Sequence, residues 1–479
     1  VTVLGRALGR ALTGVVCATL ALSGQLAVTT AASAGEPSCV TAGRALRYVV
    51  TFDRGTDASS AADEITAACG ETTIYYPQIA VGVATSPDPE FAERFGVDRA
   101  FSAQAARLAA QRASVAVSRK AVATRPELPP TDPAAVPAED RTGEQWDMRE
   151  IHAAEAREVT PGSPDVVVGV LDSGIDPAHP ELTRALDPAL SAGCLTGAPD
   201  QDAKAWSATT SPHGTHVAGT IAAADDGKGI TGVAPGVRLA SVKVIDDRGY
   251  VDPEAAVCGL MWAAKERMKV TNSSFFVDPW ALSCAHGPDH GVVREAMARA
   301  VAYSSMTGTV NVAAATNEAV NLTPSPRSDT PQPAAGCEAL PAGLRDVVAV
   351  SSVGESRLKA GYSSYGLGVI DVTAPGGETG QCVLSTVPGG YAPLCGTSMA
   401  APHVAGVVAL MASAHPSYSS AQLRKALGEQ AEPIACPTDY DLTGDGTQDA
   451  YCAGYSSYNG FYGHGMVDAL AAVAPRREP

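Results

Sequence analysis

The sequence predicts an α/β fold, with a mainly parallel central sheet carrying helices on both faces, preceded by a small α+β unit. Three observations predict it. Short continuous apolar runs, among them Val166–Leu171, Thr309–Ala315 and Val347–Val353, read as strands buried on both faces. Segments of helical composition, His213–Ala224, Pro253–Arg267 and Gly291–Ser305, alternate with such runs at the spacing of βαβ units. A Pro-dense stretch from Pro126 to Pro137 separates this part of the chain from a front segment with a strand pattern of its own.

The elements follow in order. Residues 1–34 carry Arg6 and Arg10, a largely apolar run from Ala11 to Val28 and an Ala32-Ser33-Ala34 exit, the pattern of a secretory signal peptide. Thr13, Ser23 and Gln25 within the run disfavour a membrane anchor. Residues 35–100 form the expected front domain, with strands at Arg47–Phe52, Thr72–Tyr76 and Ala80–Ala84 and a helix over Ala61–Cys69. The region 101–140 is expected to hold an Ala-rich helix, Phe101–Ala123, and then an extended segment open to proteolysis. Residues 141–475 make up the α/β domain, with further strands expected at Leu239–Ile245, Val270–Phe276 and Gly368–Val372.

Composition narrows the function. Over 479 residues the formal net charge is -17, which disfavours nucleic acid and anionic membrane as partners. Of the 11 cysteines, Cys17 lies in the signal segment; the rest, in an exported chain, read as disulfides, and no C-x-x-C pair suggests zinc. Their pairing stays open, the shortest loops being Cys382 to Cys395 and Cys436 to Cys452. Nothing calls for an organic cofactor or for association beyond a monomer.

Three residues carry chemistry. Asp172 stands at the exit of the Val166–Leu171 run, His213 opens His213-Gly214-Thr215-His216-Val217-Ala218-Gly219, and Ser398 follows Gly396-Thr397 at the start of a small-residue helical pattern. Alone, Asp172 reads as a turn or cap residue, Ser398 as a helix cap and His213 as a structural hydrogen-bonder. Together they supply an acid, a base and a hydroxyl, the components of nucleophilic hydrolysis.

The segments around Asp172-Ser173-Gly174, His213 to Gly219 and Gly396 to Gly406 resemble the signature motifs of the subtilisin family of serine endopeptidases, in matching order, over about residues 140–475. The resemblance implies a subtilisin-like fold in which Asp172 orients, His213 is general base and acid, and Ser398 is the nucleophile. It implies Asn317 as the oxyanion donor and, more weakly, the front domain as an inhibitor-type prodomain. Ser274, Phe275, Phe276, Ala315 and Thr316 become the expected substrate-binding residues.

Two departures stand out: Thr316 where the family usually has glycine, and Asn272-Ser273-Ser274-Phe275-Phe276 where it reads Asn-x-Ser-Leu-Gly. Added bulk at both predicts a narrower substrate range. Asp441, Asp445 and Asp449 alternate as in a calcium loop, but Cys452 stands at the twelfth position, so structural calcium and a solvated acidic turn are both open. The expected protein is therefore a secreted serine endopeptidase with protein or peptide substrates and its own prodomain as intramolecular inhibitor. A silent protease-fold binding protein, its cleft narrowed by Thr316 and Phe276, is the alternative.

Overall fold

A computed structural model describes residues 39–116, 139–284, 288–323 and 337–474. The expected signal peptide and the Pro-dense stretch lie outside the described residues.

The front unit is a four-stranded antiparallel sheet of β1 (Leu46–Thr51), β2 (Glu71–Tyr76), β3 (Val81–Ser86) and β4 (Ala100–Phe101), in the order β2-β3-β1-β4. Helices α1 (Ala58–Ala67) and α2 (Phe91–Phe95) cover one face. Strand periodicity explains why the centre of β1, Tyr48-Val49-Val50, is apolar on both faces. Tyr48 and Val50 face the helices with Ile65, Phe91 and Phe95, whereas Val49 faces the other way, into the core of the larger domain. β4 straddles the expected boundary at 100, and α3 (Ala103–Ala116) follows it, so the front unit continues well into the region expected to be linker.

The larger domain opens with short helices α4 (Trp146–Glu150) and α5 (Ala153–Val159). Its sheet holds β5 (Val167–Asp172), β6 (Ala192–Gly193), β7 (Arg238–Lys243), β8 (Val270–Ser273), β10 (Val310–Ala314), β12 (Val347–Val353) and β13 (Val372–Pro375). A separate two-stranded ribbon pairs β9 (Ser283–Cys284) with β11 (Cys337–Glu338). The seven strands run in the order β13-β12-β10-β8-β5-β7-β6, and every pairing is parallel. The strand expected at Gly368–Val372 begins only at Val372, because Gly368 turns the chain at φ 84.

Helix α6 (Ala203–Trp206) is a single turn; α7 (His213–Ala222), α8 (Pro253–Lys265), α9 (Pro288–Met306), α10 (Thr397–Ala414), α11 (Ser420–Gln430) and α12 (Ala469–Val473) complete the layers. α7 and α10 pack on one face of the sheet, and α8 and α9 on the other, with β1 of the front unit against α8 and α9. α10 is apolar enough to cross a membrane but is a core helix, 83% buried. A hairpin absent from the sequence-based expectation, β14 (Val383–Val387) with β15 (Gly390–Leu394), leads directly into α10.

Cys194–Cys258, Cys382–Cys395 and Cys436–Cys452 are bonded, the last two closing the short loops noted from the sequence.

Candidate active site

Strand order reverses at β5, which has β7 on one side and β8 on the other; ligands of such sheets bind beyond the carboxyl ends at this point. Register places the relevant strand ends together. Leu171 pairs with Ser273, and Ser273 with Ala313, so Asp172, Ser274 and Thr316 leave the sheet at the same edge.

Asp172 is fully buried. Its Oδ1 accepts hydrogen bonds from the Ser173 N–H at 2.7 Å and from His213 Nδ1 at 2.8 Å. With Nδ1 donating, the Nε2 of a neutral His213 is the acceptor, the tautomer a general base requires. His213 begins α7, whose Gly214 N–H donates to Ser173 Oγ at 3.0 Å. A Cβ at position 214 would lie 2.4 Å from the Gly174 carbonyl oxygen, so only glycine lets this helix start approach β5. His216, one turn on, is fully buried, and its Nε2 lies 3.1 Å from both the Val383 and Ala392 carbonyl oxygens. Burial, then the neighbouring His213, pushes its pKa down to about 3. It is a neutral pillar under the hairpin.

Ser398 is the second residue of α10, beside the helix's unpaired amides. Pro402 stands four residues on and has no N–H, so the Ser398 carbonyl lacks its intrahelical donor. Ser274 Oγ supplies the missing bond at 2.8 Å and itself accepts from Asn272 Nδ2 at 2.9 Å. In return Ser398 Oγ donates to the Ser274 carbonyl at 3.2 Å. The end of β8 is thereby bolted to the turn that carries the hydroxyl.

Asn317 is oriented by Thr397, whose N–H and Oγ1–H both donate to Asn317 Oδ1, at 2.9 and 2.8 Å. That leaves the amide Nδ2 as a donor toward the cleft. A Cβ on Gly396 would sit 3.3 Å from this Nδ2 and 3.6 Å from the Ser398 amide, in the space between the two donors. Glycine at 396 keeps that space open for an oxyanion.

These residues line one cleft of about 470 Å³, with His213, Ser274, Phe275, Phe276, Thr316, Asn317 and Ser398 in its wall. A family model described as the subtilase family matches residues 163–465. The chain belongs to the subtilase family. Subtilisin NAT of Bacillus subtilis subsp. natto is 37% identical over 310 residues, an alignment spanning 64% of this chain and 66% of that protein. A subtilisin of Bacillus pumilus is 36% identical over 310 residues, with 64% and 91% covered. Among solved structures, a lanthipeptide protease superposes with a TM-score of 0.56 at 25% identity, covering 71% of this chain and 98% of that one. The epidermin leader peptide processing protease of Staphylococcus aureus shares the fold at a TM-score of 0.63 and 17% identity, with 90% and 98% covered.

The subtilase departs from the expected pocket in detail. Ala315 is buried, its N–H donating to the Val350 carbonyl at 3.0 Å, and Ala314 and Thr316 line the cleft in its place, as strand alternation requires. Phe275 is largely sunk into the core beneath α8 and α9, whereas Phe276 is half-exposed. Ile245, Gly249, Val251, Asp278 and Leu394 also line the cleft; the sequence offered no motif for them.

Thr316 has φ 78, the left-handed region that glycine adopts without cost. Here the conformation is held by Ser364, whose N–H donates to the Thr316 carbonyl at 3.1 Å and whose hydroxyl lies 2.9 Å from Thr316 Oγ1.

Calcium finds no fit at the acidic loop. Asp441 Oδ1 accepts from Gly444 N at 2.7 Å and Asp445 N at 3.2 Å, and Oδ2 from Gly446 N at 2.7 Å. Asp445 and Asp449 likewise accept from Thr447 N and Leu442 N. These backbone bonds hold Asp441's carboxyl below the usual range, the bond from Gly446 most of all. Among the described residues no group of three or more His, Cys, Asp or Glu side chains could hold a metal ion.

Proposed function

We propose that this subtilase is a secreted endopeptidase, made as a preproenzyme, that cleaves protein or peptide substrates through an acyl-enzyme on Ser398. The observation that carries the reading is the 2.8 Å bond from His213 Nδ1 to Asp172, in a cleft shared with Ser398 and with an Asn317 amide turned toward it by Thr397. His213 takes the Ser398 proton as the hydroxyl attacks the substrate carbonyl. Asp172 stabilises the imidazolium, and Asn317 with the Ser398 amide holds the oxyanion. His213 then protonates the leaving amine, and water, activated by the same ring, releases the acyl group.

Secretion is supported by the signal-like leader and by disulfides, which persist in oxidising compartments. The front unit is read as an intramolecular inhibitor because it is bonded onto α8 and α9. Arg299 Nη1 of α9 donates to the carbonyls of Phe52, Ile79 and Ala80 at 2.8, 3.1 and 3.1 Å, and Tyr76 Oη–H donates to the Gly197 carbonyl at 3.0 Å. Maturation cleaves the chain between 101 and 140.

The test is a fluorophosphonate on the purified chain. Labelling confined to Ser398, together with an unprocessed Ser398→Ala chain, is expected; an unreactive Ser398 would instead favour a silent binding protein.

A further inference from the structure

At the start of α8 two carboxylates are bonded to side chains of the front unit. Asp252 occupies the N-cap position, where an aspartate ordinarily accepts from the first turn of amides, yet it makes no capping bond. Its oxygens turn outward to Arg107 Nη2 at 2.6 Å, Arg47 Nη2 at 3.1 Å and Gln104 Nε2 at 3.3 Å. Glu254, 1% exposed, accepts from Arg47 Nε at 3.0 Å through Oε1, while its buried Oε2 has no partner. The Arg107 guanidinium also lies 4.4 Å over the ring of Tyr250.

All three donors belong to the front unit. The larger domain's own nearby cation, Arg248, is engaged with Asp246 at 2.7 Å. Removal of the front unit therefore uncovers two carboxylates that have lost the side chains bonded to them, beside a Tyr250 ring that keeps only Arg248, at 5.2 Å. The location matters: Gly249 and Val251, flanking Tyr250, line the same cleft as Ser398, and Asp252 is the next residue.

We propose that Tyr250, Asp252 and Glu254 form a subsite for a guanidinium side chain of the substrate, and that Arg47 and Arg107 occupy it as stand-ins until the front unit departs. The inference rests on the proposed peptidase function and names its substrate class: polypeptides with an arginine set apart from the scissile bond. A chain of formal charge -17 also attracts cationic substrates over a distance. Tyr250 supplies the face on which a guanidinium stacks, and the carboxylates supply bonds that a planar fork can satisfy in pairs.

The experiment uses full-length chain allowed to process, titrated with fluorophosphonate, and fluorogenic peptides in which one arginine is walked along a constant sequence. Each arginine peptide is paired with its citrulline twin, isosteric but neutral. At one position the arginine peptide should be cleaved with a kcat/KM on the order of tenfold higher, the scale of charged hydrogen bonds. The ratio should fall toward one in Asp252→Asn/Glu254→Gln and at high salt. Should that variant fail to fold, argininamide added to the unaltered enzyme should slow the arginine peptide and spare its twin. Equal cleavage of every pair by a titratable enzyme, or a ratio untouched by the double variant or by argininamide, overturns the subsite alone. A Ser398 that does not react overturns the peptidase reading with it.

Discussion

Thr316 offers the sharpest test of how this pocket departs from its family. The residue is 6% exposed and held at φ 78. A left-handed conformation costs a residue bearing a Cβ about 1–2 kcal/mol, and glycine nothing. At an ordinary position glycine is less stable than alanine by about 0.5–1 kcal/mol. Thr316→Gly and Thr316→Ala both remove the hydroxyl contact with Ser364, so their difference isolates the backbone. The usual order should invert, with the glycine variant more stable by about 0.5–1 kcal/mol. Urea midpoints of the two variants, taken on the Ser398→Ala background to prevent self-digestion, measure it. Both substitutions, in the active chain, should also raise kcat/KM most for peptides with large side chains before the cut. An alanine variant more stable than the glycine variant would refute the backbone argument, and an unaltered peptide profile would refute the role in the pocket.

Other outcomes follow from the same geometry. Ser274→Ala leaves the Ser398 carbonyl and the Asn272 amide without their partner in a buried site, which should cost about 1–3 kcal/mol and lower kcat; urea unfolding and steady-state kinetics check it. Replacing Cys382 and Cys395 together by serine opens a loop of sequence separation 13 just ahead of Gly396, and should remove about 3 kcal/mol, read by denaturation with and without reductant. His216 has a folded pKa of about 3, below its unfolded value, so the unfolded chain takes up the proton first on acidification. Its contribution is complete above about pH 6.5 and shrinks as pH falls toward 3, by up to about 1.4 kcal/mol per pH unit. His216→Gln should flatten the dependence of unfolding free energy on pH in that window. Asp441→Ala should make the 439–449 loop a site of limited proteolysis that added calcium does not protect.

The strands that sequence reveals best are those buried on both faces, where composition alone suffices: Val167–Asp172 and Val347–Val353 are wholly buried and were legible as apolar runs. β15 was not, since Gly390-Tyr391-Ala392-Pro393-Leu394 is half-exposed and holds both glycine and proline. His213 and Ser398 stand in long motifs at element ends, so their meeting in one cleft, with Asn317 in its wall and Asp172 buried behind His213, could be anticipated. The exchange of Ala315 for Ala314 is a one-residue question of facing that composition does not answer. Asp252 and Glu254 read from sequence as an ordinary acidic helix start. What distinguishes them is Arg47 and Arg107, partners separated from Asp252 by 205 and 145 residues, and no local pattern encodes so distant a pairing.

One contact in the core bears on what happens when the chain is cut. His403 Nε2 lies 2.9 Å from Asp147 Oδ2, both fully buried, while His403 Nδ1 donates to the Met399 carbonyl at 2.8 Å. Asp147 sits in α4, near the start of the larger domain, and His403 little more than one turn beyond Ser398. An end created by a break upstream of residue 139 is tied first to Gly229, through the Arg141 N–H at 2.6 Å, then through Gln145 to Thr231 at 2.9 and 3.0 Å, and only then to this anchor. The helix that carries Ser398 is thus mechanically insulated from any terminus created there.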